Sequence, residues 1–264
     1  MVVNQPGTET AARPALYSPI VELRRYTMRP GAREVLVRLF EGAFIEPQEE
    51  AGMHVIGHFR EPDDPDVFTW LRGFRGMHDR ARSLAEFYFG DIWRAHRDAA
   101  NATMLTSDDV LLLRPARPSS AFALTGPRAP RGSDAPAPGI VEATILELGS
   151  TADENEVLSF FELAVAQCVE AEGGTILGYF LTEPSRNDFP ELPVREDVNV
   201  FVFFSGFADS ASHAAGREDS EASRAVCEAP GLSSPPRVLH LEPAARSLLT
   251  GTTHACPARA VAGA

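Results

Sequence analysis

The chain of 264 residues is 44% hydrophobic and 23% charged, the balance of a soluble globular protein with room for one large domain or two ordinary ones. Its 37 acidic side chains outnumber 24 basic ones, and the formal charge of -13 opposes nucleic-acid phosphates and anionic membrane surfaces, so neither is expected as a partner. The basic residues are all arginine, which reads as codon bias, and the three cysteines, Cys168, Cys227 and Cys256, lack CxxC spacing and read as reduced thiols in the cytoplasm.

Residues 1–16 are small, polar and proline-containing, which predicts a loose arm with no signal-peptide layout. Nowhere do about 18 apolar residues run unbroken, so no membrane span is expected. From residue 17 to 115 the pattern is that of a first domain. VELRRYTM (Val21 to Met28) alternates as a strand, and AREVLVRLFEGAFIEPQEEAG follows as an acidic helix with apolar periodicity. Two strands, GMHVIGHF and VFTWLRGF, come next, then a helical stretch from Met77 to about Thr103 and a last strand, VLLLRP.

Residues 116–138 are crowded with Pro, Ala, Ser and Gly and predict an extended linker. The pattern then repeats from 139 to 248. VEATILEL answers VELRRYTM, GGTILGYF answers GMHVIGHF, VFVFFSGF answers VFTWLRGF, and VLHLEP answers VLLLRP, with helical stretches at Ala152 to Gly174 and about Ser210 to Glu228. Residues 249–264 have the loose character of a flexible tail.

The order β-α-β-β-α-β, found twice, is that of the ferredoxin-like split βαβ motif, and the fold class is α+β. One copy leaves a sheet face bare, and a bare apolar face must be covered. Two copies in one chain can press these faces together as an intramolecular pseudo-dimeric α/β barrel. The protein is therefore expected to be a monomeric pseudo-dimer, or a homodimer of such chains.

The runs VELRRYTMRPG and DPDVFTWLRGFRGMHDRARSLAEFYFGDIWRAH resemble the NIPSNAP family of dimeric α/β-barrel proteins. The matching positions are Trp70, Leu71, Arg72, Phe74, Arg80, Phe87, Tyr88 and Trp93. In the second block RNDFPELPVREDVNVFVFFSGF is similar to the companion domain of tandem NIPSNAP-like proteins. The likeness covers roughly residues 20–115 and 140–248, and the second block lacks counterparts of Arg72 and Trp93. It implies the barrel fold and an intracellular small protein, but no one reaction.

His54 and His58, four apart, would share one helix face, and on a strand would share a side at ~13 Å separation. Zinc needs its nitrogens at ~2.0–2.1 Å, so a strand argues against a shared ion. Thr175 and Tyr179 stand at the equivalent places in the second block, so the fold itself requires no imidazole there. Alternation puts Glu22, Arg24 and Tyr26 on one side of the first strand, Phe68, Trp70, Arg72 and Phe74 on one side of the third, and His54 and His58 on one side of the second. If these sides face the barrel interior they form an aromatic pocket with polar anchors. The bland alternative is a buried Glu22-Arg24-Arg72 network that fixes docking of the halves, with the aromatics as core.

The leading reading is a small, partly aromatic metabolite bound in the barrel interior by Glu22, Arg24, Tyr26, Phe68, Trp70 and Phe74. A second is a metal- and nucleotide-independent enzyme of the monooxygenase, isomerase or cyclase kind, with His54 or His58 as general base and Arg72 or Arg24 stabilising an oxyanion. A third is a protein-binding scaffold. No cofactor and no metal is expected: GxGxxG, GxxxxGK[ST] and GxSxG are absent, and His78 and His96, weighed as axial haem ligands, read as surface residues. The loop TEPSRNDFPELPVRED (Thr182 to Asp197) is longer than its counterpart and reads as a lid or as a brace for the second domain.

Overall fold

The computed structural model describes residues 18–209, 213 and 220–256. The expected arm, 1–16, and the end of the tail from 257 lie outside them, as does most of 210–219. The first half runs β1 (Ile20–Met28), α1 (Arg33–Leu39), a π-helical turn (Phe40–Phe44), α2 (Ile45–Glu50), β2 (His54–Glu61), β3 (Asp64–Phe74), α3 (Met77–Tyr88), α4 (Asp91–Asn101) and β4 (Met104–Pro115). The second runs β5 (Ile140–Glu147), α5 (Glu154–Phe160), a π-helical turn (Phe161–Val165), α6 (Ala166–Ala171), β6 (Thr175–Thr182), β7 (Val200–Phe207), α7 (Glu221–Cys227) and β8 (Arg237–Pro243). The β-α-β-β-α-β repeat is therefore present twice.

All eight strands close into one antiparallel barrel in the order β1-β3-β2-β8-β5-β7-β6-β4. Each half contributes four adjacent strands. The halves join edge to edge at two short seams, Phe59 opposite Pro243 and Arg60 opposite Glu242 at one, and Leu113, Arg114 and Pro115 opposite Thr182, Leu181 and Phe180 at the other. Closure removes the four exposed sheet edges that two separate repeats would carry.

Strand alternation sorts the residues cleanly. One side of each strand fills the barrel: Val21, Leu23, Ile56, Phe59, Leu71, Leu111 and Leu113 from the first half meet Val141, Ala143, Ile145, Leu177, Phe180, Val202, Phe204, Leu239 and Leu241 from the second. The other side packs under the helices of its own half. Each fully buried side chain of this kind contributes ~1.5–3 kcal/mol, so the shared interior is what holds the halves together.

The linker and tail are not the free chain the composition predicts. Phe122 and Leu124, from the 116–138 segment, and Leu249, from the tail, enter the barrel interior and are buried there. Cys256 is wholly buried and its backbone N–H donates to the Ile176 carbonyl. Apolar residues scattered among Pro, Ser and Gly gave these segments a place in the core that composition alone does not reveal.

Local devices recur in both halves. Gly52 and Gly173 take positive φ (94° and 84°) to stop α2 and α6. The π-helical turns insert one extra residue into each first helix and present Glu41 and Glu162 to the sheet. A β-bulge interrupts β2 between Val55 and Gly57 and β6 between Ile176 and Gly178. A Cβ at Gly57 would sit 2.5 Å from the Phe59 ring, and one at Gly178 would sit 3.0 Å from Phe122, so each bulge needs its glycine.

Candidate functional site

The bulge in β2 decides where the histidines point. His54 lies opposite Gly73, whereas His58, past the extra residue, lies opposite Trp70. The two imidazoles are thus on opposite faces of the sheet. The expectation that they share a side is corrected, because strict alternation does not survive a bulge. His54 is half-buried, with Nδ1 2.9 Å from the Ser18 hydroxyl, and burial followed by the charge of Arg75 lowers its pKa. His58 is fully buried under the helices, its Nε2 2.8 Å from Glu41 and its ring against Phe40. Burial lowers the His58 pKa although Glu41 opposes this, so His58 is neutral and donates from Nε2. In the second half Tyr179 donates to Glu162 at 3.0 Å in the same place.

Glu22, Arg24, Tyr26, Phe68, Trp70, Arg72 and Phe74 do share one face, as alternation predicts. That face turns outward, under α1 to α4, and not into the barrel interior, which is filled by aliphatic and Phe side chains. Period-two patterning fixes which residues share a side but not which side faces the barrel when both are apolar.

Beneath the helices these residues build a charged cluster. Glu22 Oε2 accepts from Arg24 Nη1 and Arg72 Nε, each at 2.7 Å, and its Oε1 accepts from Arg80 Nε at 2.6 Å. Arg24 Nε also donates to the Tyr26 hydroxyl at 2.7 Å, and Arg72 Nη1 to the Tyr88 hydroxyl at 3.3 Å. All four charged groups have no exposed side-chain surface. Burial alone would raise the Glu22 pKa, but Arg72, Arg24 and Arg80 outweigh it and hold the carboxyl far below the usual range.

Two carboxylates face these three guanidiniums, Glu22 and the partly exposed Asp188, which pairs with Arg80. One positive charge is left over. The Nη2 atoms of Arg24, Arg72 and Arg80 and Nε1 of Trp70 are buried without a hydrogen-bond partner among the described residues. Buried donors left unpaired cost ~1–3 kcal/mol each, more when charged.

In front of Tyr26, Trp70 and Tyr88 lies a cavity of about 90 Å³, walled also by Phe40, Phe44, Phe68, Phe87 and Trp93, with Gln48 and Asn101 as polar members. Its volume is that of about three waters. A ligand of ring size therefore needs its walls to move. Among the described residues no imidazole lines it. The Arg24 and Arg72 guanidiniums sit behind the rings, 5.8 and 5.0 Å from the Trp70 centroid.

The long loop of the second half closes this region. Phe189 packs against Tyr88 and Phe89, Leu192 lines the cavity, and Asn187 and Asp188 accept from Arg80. The loop thus covers the helix layer of the other half and not a barrel mouth. A larger hollow of about 940 Å³ opens at the β2/β8 seam between Arg38, Glu41, Arg60, Asp134, Asp209 and Glu242; its walls mix both charges and it lies open to solvent.

Fold and layout define the class: a two-repeat α+β barrel of the dimeric-barrel type, its two subunits fused in one chain. No protein-family model and no curated protein matches the sequence. Among solved structures, a candidate monooxygenase from Fusobacterium nucleatum is 9% identical, with 90% of this chain and 98% of that one covered at a TM-score of 0.53. An anthrone oxidase-like protein is 13% identical over 88% and 95% at 0.52. Solved NIPSNAP proteins also stand among the structures this chain is similar to. One from Agrobacterium tumefaciens is 24% identical over 36% of this chain and 91% of its own, at a TM-score of 0.34. The two whole-chain likenesses speak to the fold alone. No helix among the described residues is long and apolar enough to cross a membrane.

Proposed function

We propose that this protein binds a small, partly aromatic anion in the cavity between the sheet and helices of its first half. The observation that carries this reading is the leftover positive charge behind an aromatic wall, with buried guanidinium and indole donors unpaired. A ligand carboxylate near the Tyr26 and Tyr88 hydroxyls and Trp70 Nε1 offsets that charge, and its ring packs among Phe40, Phe44 and Phe68. The site is thus displaced from the barrel interior to the layer outside it, with most of the same residues.

The test is native mass spectrometry with a thermal-shift screen of aromatic carboxylates against their amides. A ligand at 100 times its Kd adds ~2.7 kcal/mol to stability. Acids are expected to raise Tm and amides not, and Arg72→Met and Tyr88→Phe to reduce the shift at least tenfold in Kd. Equal response to acid and amide, or none to either, overturns the reading.

An enzymatic reading draws support from the descriptions of the two whole-chain neighbours, as monooxygenase and as anthrone oxidase-like. It places turnover of an aromatic or polyketide-like metabolite in the same cavity. Against it, His58 stands behind Phe40 and His54 lies across the sheet, so neither reaches the cavity as a base. Product analysis with any acid that binds separates the two, with oxygen uptake marking the monooxygenase form: a binder returns its ligand unchanged and consumes no oxygen.

A further inference from the structure

The second half holds its own cluster at the matching place, built from different residues. Glu142 occupies on β5 the position of Glu22 on β1, and it lies opposite His240 on β8, as Glu22 lies opposite Leu112 on β4. His213 follows Phe207 by the same six positions that separate Arg80 from Phe74. Ser205 and Thr144 replace Arg72 and Arg24. Every arginine that surrounds the first glutamate is gone, and two histidines have arrived.

The geometry of the three groups is that of a ligand set. Glu142 Oε2 is 3.0 Å from His213 Nε2 and 3.8 Å from His240 Nε2. One ligand atom from each residue lies within 4.8 Å of the other two. Zinc held tetrahedrally at ~2.0–2.1 Å needs its donors ~3.4 Å apart, between the two distances to Glu142. His213 is almost fully enclosed, with 4% of its side chain exposed, and His240 nearly so at 11%.

The other nitrogen of His240 is also accounted for. Its Nδ1 is hydrogen-bonded to Asp63, in the β2–β3 turn of the first half. A carboxylate that accepts a hydrogen bond from Nδ1–H holds the ring with Nε2 on the Glu142 side, 3.8 Å from its Oε2, the arrangement that orients metal-binding imidazoles. A hollow of about 220 Å³, walled by Glu142, His213, Thr144, Phe203, Phe207 and Val226, leaves space beside Glu142 and His213 for a further ligand.

We propose that Glu142, His213 and His240 bind one divalent transition ion of the zinc class, with Asp63 as a positioning residue and an open coordination position facing the hollow. Two imidazoles and one carboxylate suit zinc, iron(II) or cobalt(II) over calcium or magnesium, which prefer all-oxygen sites. The site is independent of the anion cavity in the other half.

The full chain, dialysed against chelator and titrated with cobalt(II), tests this by visible absorption. One equivalent is expected to bind with d–d bands, and zinc to displace it. His213→Ala and His240→Ala are expected to abolish the bands, while His78→Ala leaves them unchanged. Should those variants not fold, Asp63→Asn, at an exposed carboxyl, keeps the question open to measurement: it is expected to weaken cobalt ~10- to 100-fold. Absence of binding, or binding unchanged in both histidine variants, overturns the site, and an unchanged Kd in Asp63→Asn overturns the positioning role.

Discussion

Glu22 and Glu142 begin from the same place in a duplicated strand and end in opposite circumstances. The first is walled in by three arginines and has no exposed surface; the second is one-fifth exposed and faces two histidines and a hollow. Around them the backbone devices agree: the same bulge, the same π-helical turn, and the same acidic side chain reaching from that turn to the sheet, on His58 in one half and Tyr179 in the other. The backbone that makes the barrel has been kept in duplicate while the polar side chains beneath the helices have diverged. Architecture and chemistry are thus carried by different residues of the same strands.

The sharpest way to break this comparison is to neutralise both glutamates. Glu22→Gln leaves three buried guanidiniums without their shared carboxylate and is expected to cost ~3–5 kcal/mol in urea unfolding. Glu142→Gln, at a partly exposed carboxyl with none of the three arginines around it, is expected to cost the chelator-treated protein less than ~1 kcal/mol. Equal costs would mean that the charge difference between the halves does not matter to stability.

The loop of the second half that rests on the first offers the next test. Phe189→Ala removes an aromatic that packs on Tyr88 and Phe89 and is expected to cost ~3 kcal/mol, at the low end for buried Phe. Hydrogen exchange should quicken in α3, under the loop, and stay unchanged in α5 and α6. Faster exchange in the second half instead would make the loop a brace for its own domain.

The acid limb comes third. An unfolded glutamate takes its proton near ~4.3, while Glu22 in the folded protein resists to much lower pH. Its contribution is therefore complete above pH ~5 and drains away as pH falls. Wild type is expected to lose stability from pH 5 to 3 more steeply than Glu22→Gln, by up to ~1.4 kcal/mol per pH unit. Parallel slopes would show that the arginines do not hold the carboxyl ionised.

The smallest effect concerns His58 against Tyr179. The unfolded imidazole protonates near ~6.5 and the buried one resists. Stability that is full above that value is lost as pH falls toward the folded value. His58→Gln should flatten the curve between pH 7 and 5 by less than ~1.4 kcal/mol per pH unit, and Tyr179→Phe should leave it alone. A flat wild-type curve would contradict a neutral buried His58.

The repeat was legible because its signals are local: alternation in β1 and β5, apolar spacing in the first helices, and Gly57 and Gly178 at matching places. The site was half legible. Seven residues of one face were grouped correctly, since parity is a property of the strand itself. Their outward direction was not, because β3 and β7 are apolar on both sides and nothing local marks the barrel axis. His54 was misplaced by a bulge whose only sign in the sequence is Gly57. The Glu142, His213 and His240 group joins three distant segments, but lining up the two repeats puts His240 over Leu112 and Glu142 over Glu22. That comparison carries the signal.

The segment from Ala116 to Pro138, anchored by Phe122 and Leu124 inside the barrel, makes two subunits into one molecule. In a symmetric pair each change in the gene alters both sites at once, and a self-complementary contact must tolerate its own two-fold copy. Here each pocket is free to drift by itself. Covalent continuity has released a two-fold object from its symmetry operator, so that arginines surround the glutamate of one lobe and histidines that of the other without compromise between them.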